Sequence, residues 1–266
     1  MLRPPSRSAS CRPPPLPPPP PHFAIATLTG SNCAVVDHND VTGDDRGGIA
    51  LSNGRIYVGG DNSTASFDLS LSAGAALGRV LDTIFSDLRD EHVYVFGAGD
   101  PPQPVSVGAA DRLIALDENG GLSTTIPLGQ PLTLGHGGSI HATVGGALVV
   151  TGGRVYRVAT PSGTVDDLGP APSMSRYGCE GPYTHGVAEL IDGAWWLAYR
   201  TSAAAAIVRT RVSDGQTETI AEFTDLGDLC SFTVSPRLNR WYFHHEYSSQ
   251  FGSANELLGS CEASFR

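Results

Sequence analysis

The side chains with chemical potential in this chain fall into three sets. The first is four carboxylates, Asp45, Asp82, Glu180 and Asp228, each standing shortly ahead of a β-type run. Two converging carboxylates are the minimum equipment for glycoside hydrolysis, one as acid and one as nucleophile or base. The same residues are also of the type that caps turns by accepting backbone N–H groups. The second set is the oxygen-rich run Asp37-His38-Asn39-Asp40 with Asp44 and Asp45. Hard oxygen ligands suit Ca²⁺, so Asp37, Asp40, Asp44 and Asp45 are candidate ligands, although the run departs from the EF-hand pattern at Val41 and Thr42 and lacks its closing Glu. The third is the histidines His136, His141, His185, His244 and His245, which lack the close pairing with a carboxylate expected of a transition-metal site. No cofactor is required by any motif; Ca²⁺ is the one candidate.

Composition narrows the remaining classes. The 266 residues carry a net charge of −10, a balance that repels phosphate backbones and argues against nucleic acid as a partner. Every basic side chain is Arg. Without Lys there is neither a Schiff-base amine nor a Walker A cation. No run of apolar residues is long enough to span a bilayer as a helix, and the residues near the start do not read as the hydrophobic region of a signal peptide. A monomer is expected.

The elements that must position these groups announce themselves by repetition. Asn53-Gly54 leads into Arg55-Ile56-Tyr57-Val58, and Asp90-Glu91 into His92-Val93-Tyr94-Val95. Gly145-Gly146 leads into Ala147-Leu148-Val149-Val150, Asp192-Gly193 into Ala194-Trp195-Trp196-Leu197, and Leu238-Asn239 into Arg240-Trp241-Tyr242-Phe243. Successive second strands start 37, 55, 47 and 46 residues apart. Turn chemistry followed by β-branched and aromatic residues marks a hairpin, and a hairpin unit recurring at this period marks a radial array. Residues 1–30 read differently. Half of the chain's 20 prolines lie between Pro4 and Pro21, which predicts a stiff polyproline rod that cannot join a sheet. The division expected is a proline-rich leader over 1–30 and one all-β domain over 31–266.

On these hairpins the chain resembles β-propellers as an architecture, with five blades of three to four antiparallel strands expected. It lacks the Gly-His and Trp-Asp landmarks of WD40 units and a kelch double glycine in every repeat, although Gly59-Gly60 and Gly152-Gly153 occur. Five-bladed propellers include arabinanase-like glycoside hydrolases, tachylectin-like lectins and the olfactomedin domain. The resemblance implies that function sits on the face formed by loops leading into first strands and loops joining second to third strands. That face selects Arg46, Asp82, His136, Glu180, Tyr183, His185, Arg200, His244 and His245 as ligand-binding candidates. The expected function is an extracytoplasmic module that binds a protein or carbohydrate; the alternative is a glycoside hydrolase using Asp45, Asp82, Glu180 and Asp228.

A propeller closes by placing its first and last strands in one blade. Residues 31–36 can supply the missing outer strand of the fifth unit, so Cys33–Cys261 is the first disulfide expected and Cys179–Cys230 the second. Disulfides place a protein outside the cytoplasm, secreted or in the cell envelope. Ser8-Ala9-Ser10-Cys11 resembles a bacterial lipoprotein junction, with Ser8 where an aliphatic residue is usual, which leaves lipid anchoring through Cys11 open.

Overall fold

The computed structural model describes residues 23–37, 47–52, 54–59, 63–72, 74–175, 183–201, 206–223, 228–248 and 254–266, with backbone only for 183, 228, 245–248 and 254–256. The described residues form strands and turns with no helix. Two short strands, β1 (Ile25–Leu28) and β2 (Ala34–Asp37), precede five antiparallel units. The first unit is β3 (Ile49–Ser52), β4 (Arg55–Val58), β5 (Ala65–Asp68) and β6 (Gly74–Ala76). The second is β7 (Ile84–Asp87), β8 (His92–Ala98), the two-residue β9 (Gln103–Pro104), β10 (Gly108–Leu116) and β11 (Leu122–Leu134). The third is β12 (Gly138–Thr143), β13 (Gly146–Thr151), β14 (Arg154–Ala159) and β15 (Val165–Pro170). The fourth is β16 (Tyr183–Ile191), β17 (Ala194–Arg200), β18 (Ala206–Arg211) and β19 (Thr217–Glu222), and the fifth is β20 (Asp228–Ser235), β21 (Arg240–Ser248) and β22 (Ala254–Phe265).

The hairpin turns explain the repeat. The residue at or just before the start of each second strand has positive φ: Gly54 (87°), Glu91 (56°), Gly145 (85°), Gly193 (77°) and Asn239 (51°). Two-residue turns of this hand match the twist of the flanking strands. Third and fourth strands add to each hairpin in register, as in Ala147↔Val158 and Tyr156↔Asp167.

The units form a closed circle. The first strands β3, β7, β12, β16 and β20 contact one another in succession, and β20 returns to β3. Five apolar clusters match the five junctions. Ile84, Val95 and Ile114 meet Ala50 and Tyr57 between units one and two, and Phe85, Phe96 and Leu113 meet Ile140 and Val149 between two and three. Leu148 and Val150 meet Leu197 and Tyr199 between three and four, and Val187 and Ile207 meet Phe232 and Trp241 between four and five. Ile49, Leu51 and Phe67 meet Tyr242 and Leu258 between five and one. This is the propeller architecture: every sheet buries both faces against its neighbours.

Closure depends on the chain's N-terminal strands. β22 pairs with β21 on one edge; on the other it pairs with β2 (Ala34↔Ser260) and β1 (Leu28↔Ala263). The expected boundary at residue 30 is therefore corrected. Phe23, Ile25 and Leu28 are buried between units four and five, so residues 23–30 belong to the domain. Cys33 and Cys261 are joined in a disulfide across 228 residues, with Cα atoms 4.1 Å apart. Around it, the Asn32 amide donates to Glu262 (2.5 Å), and the Trp241 indole N–H donates to the Thr29 carbonyl (3.0 Å). Cys230 is also disulfide-bonded; Cys179, its expected partner, and Cys11 lie outside the described residues.

A cross-link spanning a loop this long restricts the unfolded chain by about 5 kcal/mol on the chain-entropy model. The Cys33→Ser, Cys261→Ser double variant should lose roughly 3–5 kcal/mol in denaturant unfolding at an unchanged strand content. A loss indistinguishable from zero would show that the bond is not what holds the ends together.

Candidate functional site

Among the described residues, polar side chains of the first strands bond from one unit to another. His185 on β16 is buried; its Nε2–H donates to the Asp82 carbonyl in unit two (3.0 Å). The ring also lies on Gly48 of unit one, where an added Cβ would sit 2.4 Å from it. Unit four thus reaches across the axis to units one and two. His141 on β12 donates from Nδ1 to the Ala198 carbonyl (3.2 Å), and its Nε2 accepts from the Ser139 hydroxyl (2.9 Å). Ser86 accepts from Leu51 N–H (2.5 Å) and Ser231 donates to the Gly47 carbonyl (2.8 Å). Gly186 completes this packing, since a Cβ there would lie 2.1 Å from the Ala198 carbonyl. Each bond joins different units or fixes a group that does.

The end of the ring that carries the first hairpins is closed in the same way. Asp87 accepts from Gly145 N–H (2.7 Å) and from the Thr160 hydroxyl, both in unit three. Glu91 accepts from the Ser235 hydroxyl (2.9 Å) and Arg237 donates to the Arg89 carbonyl (2.8 Å), which ties unit five to unit two. Burial raises the Glu91 pKa, opposed by the Ser235 bond and by Arg237.

At the opposite end lies a recess of about 360 Å³. Gly135–Gly138, Val150–Gly153, Ala171, Pro172 and Met174 line it. It sits where the loop into β12 meets the β13–β14 turn, beside the junction of units three and four. Gly135, Gly137, Gly152 and Gly153 face open space, so backbone is presented directly to whatever enters. His136 is exposed on its rim.

The sequence candidates are placed as follows. His136 lines this recess, and the backbone of Tyr183 pairs with Gly138 on its wall. Arg200 ends β17 on the same side of the ring, partly buried. His185 and His244 depart from the loop positions expected of ligand contacts. Both lie within strands with buried rings, and the His185 ring bonds to another unit. His245 also falls inside a strand, its backbone opposite Leu229, and the backbone of Asp228 pairs with Glu246 on that strand. Asp82 is buried and is brought to His185 through its carbonyl. Arg46, Glu180, Asp40, Asp44 and Asp45 lie outside the described residues, and Asp37 is exposed at the end of β2. Among the described residues no three His, Cys, Asp or Glu side chains group as metal ligands. No described helix is long and apolar enough to cross a membrane.

No family model and no curated protein matches this sequence. Among solved structures, the chain is similar to the PQQ-bound form of aldose sugar dehydrogenase from Streptomyces coelicolor, at 12% identity over 93% of this chain and 100% of that one, with a TM-score of 0.39. It is also similar to the dihydro-heme d1 dehydrogenase NirN in complex with DHE, at 12% identity over 96% and 82% of the two chains, TM-score 0.36. The Pan2 WD40 domain of Neurospora crassa matches at 9% identity over 82% and 64%, TM-score 0.34. These are likenesses of shape; the architecture itself rests on the strand pairing and junctions described above.

Burial holds His185 and His244 near pKa 4, the Asp82 carbonyl opposing the shift at His185. An unfolded histidine titrates near 6.5, so between these values the unfolded chain takes up protons that the folded one refuses. Stability must then fall as pH drops through that window. From pH 7 to 4.5 each histidine should cost roughly 2–3 kcal/mol in denaturant unfolding, and His185→Gln should make the pH slope shallower. An unchanged slope in that variant would contradict the burial of the ring.

Proposed function

We propose that the five antiparallel units are five blades and that the protein is an extracytoplasmic binding module for a protein or glycan. Its ligand seats on the face formed by loops into first strands and loops from second to third strands. The observation that carries this reading is the division of labour among polar groups. Interior ionisable residues join one unit to another, whereas His136 stands exposed at a recess with open glycine backbone. A recess of 360 Å³ is at the small end of ligand sites and suits one sugar ring or one protruding side chain. Its imidazole offers a polar contact, and Val150, Ala171 and Met174 offer an apolar wall. The Cys33–Cys261 bond supports a compartment in which thiols are oxidised.

A glycan array followed by calorimetric titration of its hits tests the reading. His136→Ala should weaken binding about tenfold, the cost of one good polar contact, without lowering the melting temperature. Binding that is indifferent to His136 would contradict this site. Hydrolysis of a bound glycan that is lost in Asp82→Asn would instead favour the carboxylate set.

A further inference from the structure

The recess beside His136 does not end at its own wall. Ala171 and Pro172 line it, and the same two residues line a neighbouring recess of about 500 Å³. Leu168, Pro170 and Ser173 of unit three and Val212–Gly215 of unit four complete that second recess. Leu168 and Pro170 lie on β15, and residues 212–215 form the β18–β19 turn, so it crosses the junction of the two units at their outer strands. The two recesses make one groove with Ala171–Pro172 as a ridge between them.

This groove is set before any ligand arrives. Pro170 and Pro172 have φ locked at about −65°. The Ala171 N–H donates to the Gly153 carbonyl (2.8 Å), which ties the ridge to the β13–β14 turn of the first recess. In the second, the Arg211 N–H donates to the Gln216 carbonyl (2.8 Å) and the Gly215 N–H to the Arg211 carbonyl (2.9 Å). Gly215 faces the ridge, since a Cβ added to it would lie 3.8 Å from Pro172. A groove fixed this way loses little freedom when it is filled.

The chemistry of the walls selects the class of ligand. Thr151 already donates to the Thr133 carbonyl (2.7 Å). Asp214 already accepts from the Gln216 N–H (3.0 Å) and from Arg211 (2.9 Å), which also balances its charge. His136, Ser173 and Ser213 are the other polar side chains of the walls, and no Phe, Tyr or Trp lines either recess. A sugar carries several hydroxyls on each ring, and each costs free energy if buried without a partner. Three side chains cannot serve two rings. An extended peptide asks less: its main chain bonds to main chain, and alternate side chains fill apolar pockets. The glycine turns present main chain in the first recess, and Val150 and Met174 in one recess and Leu168 and Val212 in the other supply the pockets. The spacing agrees. A ridge one strand thick is about 5 Å across, and side chains i and i+2 of an extended chain stand about 7 Å apart on one face. We propose that the ligand of the His136 site is an extended peptide that straddles Ala171–Pro172 with an uncharged side chain in each recess. This rests on the binding reading above and narrows it.

Phage display of random heptapeptides on the full chain, followed by calorimetry of the synthetic hits, is the test. Hits should share apolar residues at two positions separated by one, and Asp at either position should weaken binding about tenfold or more. Ser213→Trp fills the second recess alone. It should weaken the peptide about tenfold or more, as loss of one buried side chain predicts, at an unchanged melting temperature. Ser173→Trp, in the same recess, should repeat the result and replaces the first variant if that one fails to fold. A recess of about 540 Å³ at the opposite end of the ring, lined by Arg55, His92, Asp117 and Glu118 between units one and two, is the control. Glu118→Gln should leave binding unchanged. Peptide binding that needs His136 but ignores both Trp variants overturns the two-recess groove and leaves the binding reading standing. Peptide binding indifferent to His136 removes that reading and the groove with it. The proposal is also overturned if no peptide is selected, if glycans alone bind, or if Glu118→Gln abolishes binding that the Trp variants keep.

Discussion

A radial array of antiparallel sheets has one weak point: its last sheet ends in an edge strand. That edge exposes a row of unpaired backbone groups, and the sheet behind it needs a neighbour on both faces. Here β22 is the strand concerned, and the chain's own N-terminal strands complete it. β2 pairs along one half of β22 and β1 along the other. The buried Ile25 also gives its N–H to Glu189 in unit four, so the closing strand is fastened sideways as well as edgewise. Without this pairing the fifth unit would present an open edge and the junction of units four and five would lose Phe23, Ile25 and Leu28.

The same requirement accounts for the unusual inventory of buried polar groups. Each unit must be fixed in angle as well as contact, and apolar packing is not directional. Hydrogen bonds supply the direction. Asp87 binds two turns of the next unit, His185 spans the axis, and Glu91 reaches Ser235. Arg209 lies buried between Glu189 and Glu218 and over the Trp196 ring at 5.5 Å. A buried charge persists only when paired, and here the pair also joins β1 to unit four. The recess beside His136 and the recess beside Arg55 lie at the ends of the ring.

The hairpins were legible in the sequence because turn chemistry is local. Asp192-Gly193 and Gly145-Gly146 specify their φ angles within two residues, and the apolar runs after them specify burial. The fourth strands were harder to read. Gly74-Ala75-Ala76 has no β propensity, and it is a strand because Ala65–Phe67 offers an edge. β1 was hidden behind the proline run, since Ala26 and Thr27 are exposed and only Ile25 and Leu28 report the core. For the site, His136, His185 and His244 were all read as loop positions on one face, and of the three His136 is exposed in a loop. His185 and His244 are buried by strands far away in the chain, which no local pattern encodes. The recess lined by Arg55 and Asp117 was likewise invisible, because the two residues belong to different units that meet only by packing side by side.

Native-state hydrogen exchange of the β1 and β2 amides tests the closure most directly. If these strands complete the ring, the hydrogen-bonded amides of Thr29, just past β1, and Val36 and their partners on β22 exchange only through global unfolding, with the same denaturant dependence as the amides of β21. Exchange of β1 and β2 by local opening, with β21 and β22 still protected, would mean that the circle holds without its N-terminal clasp and would contradict the account.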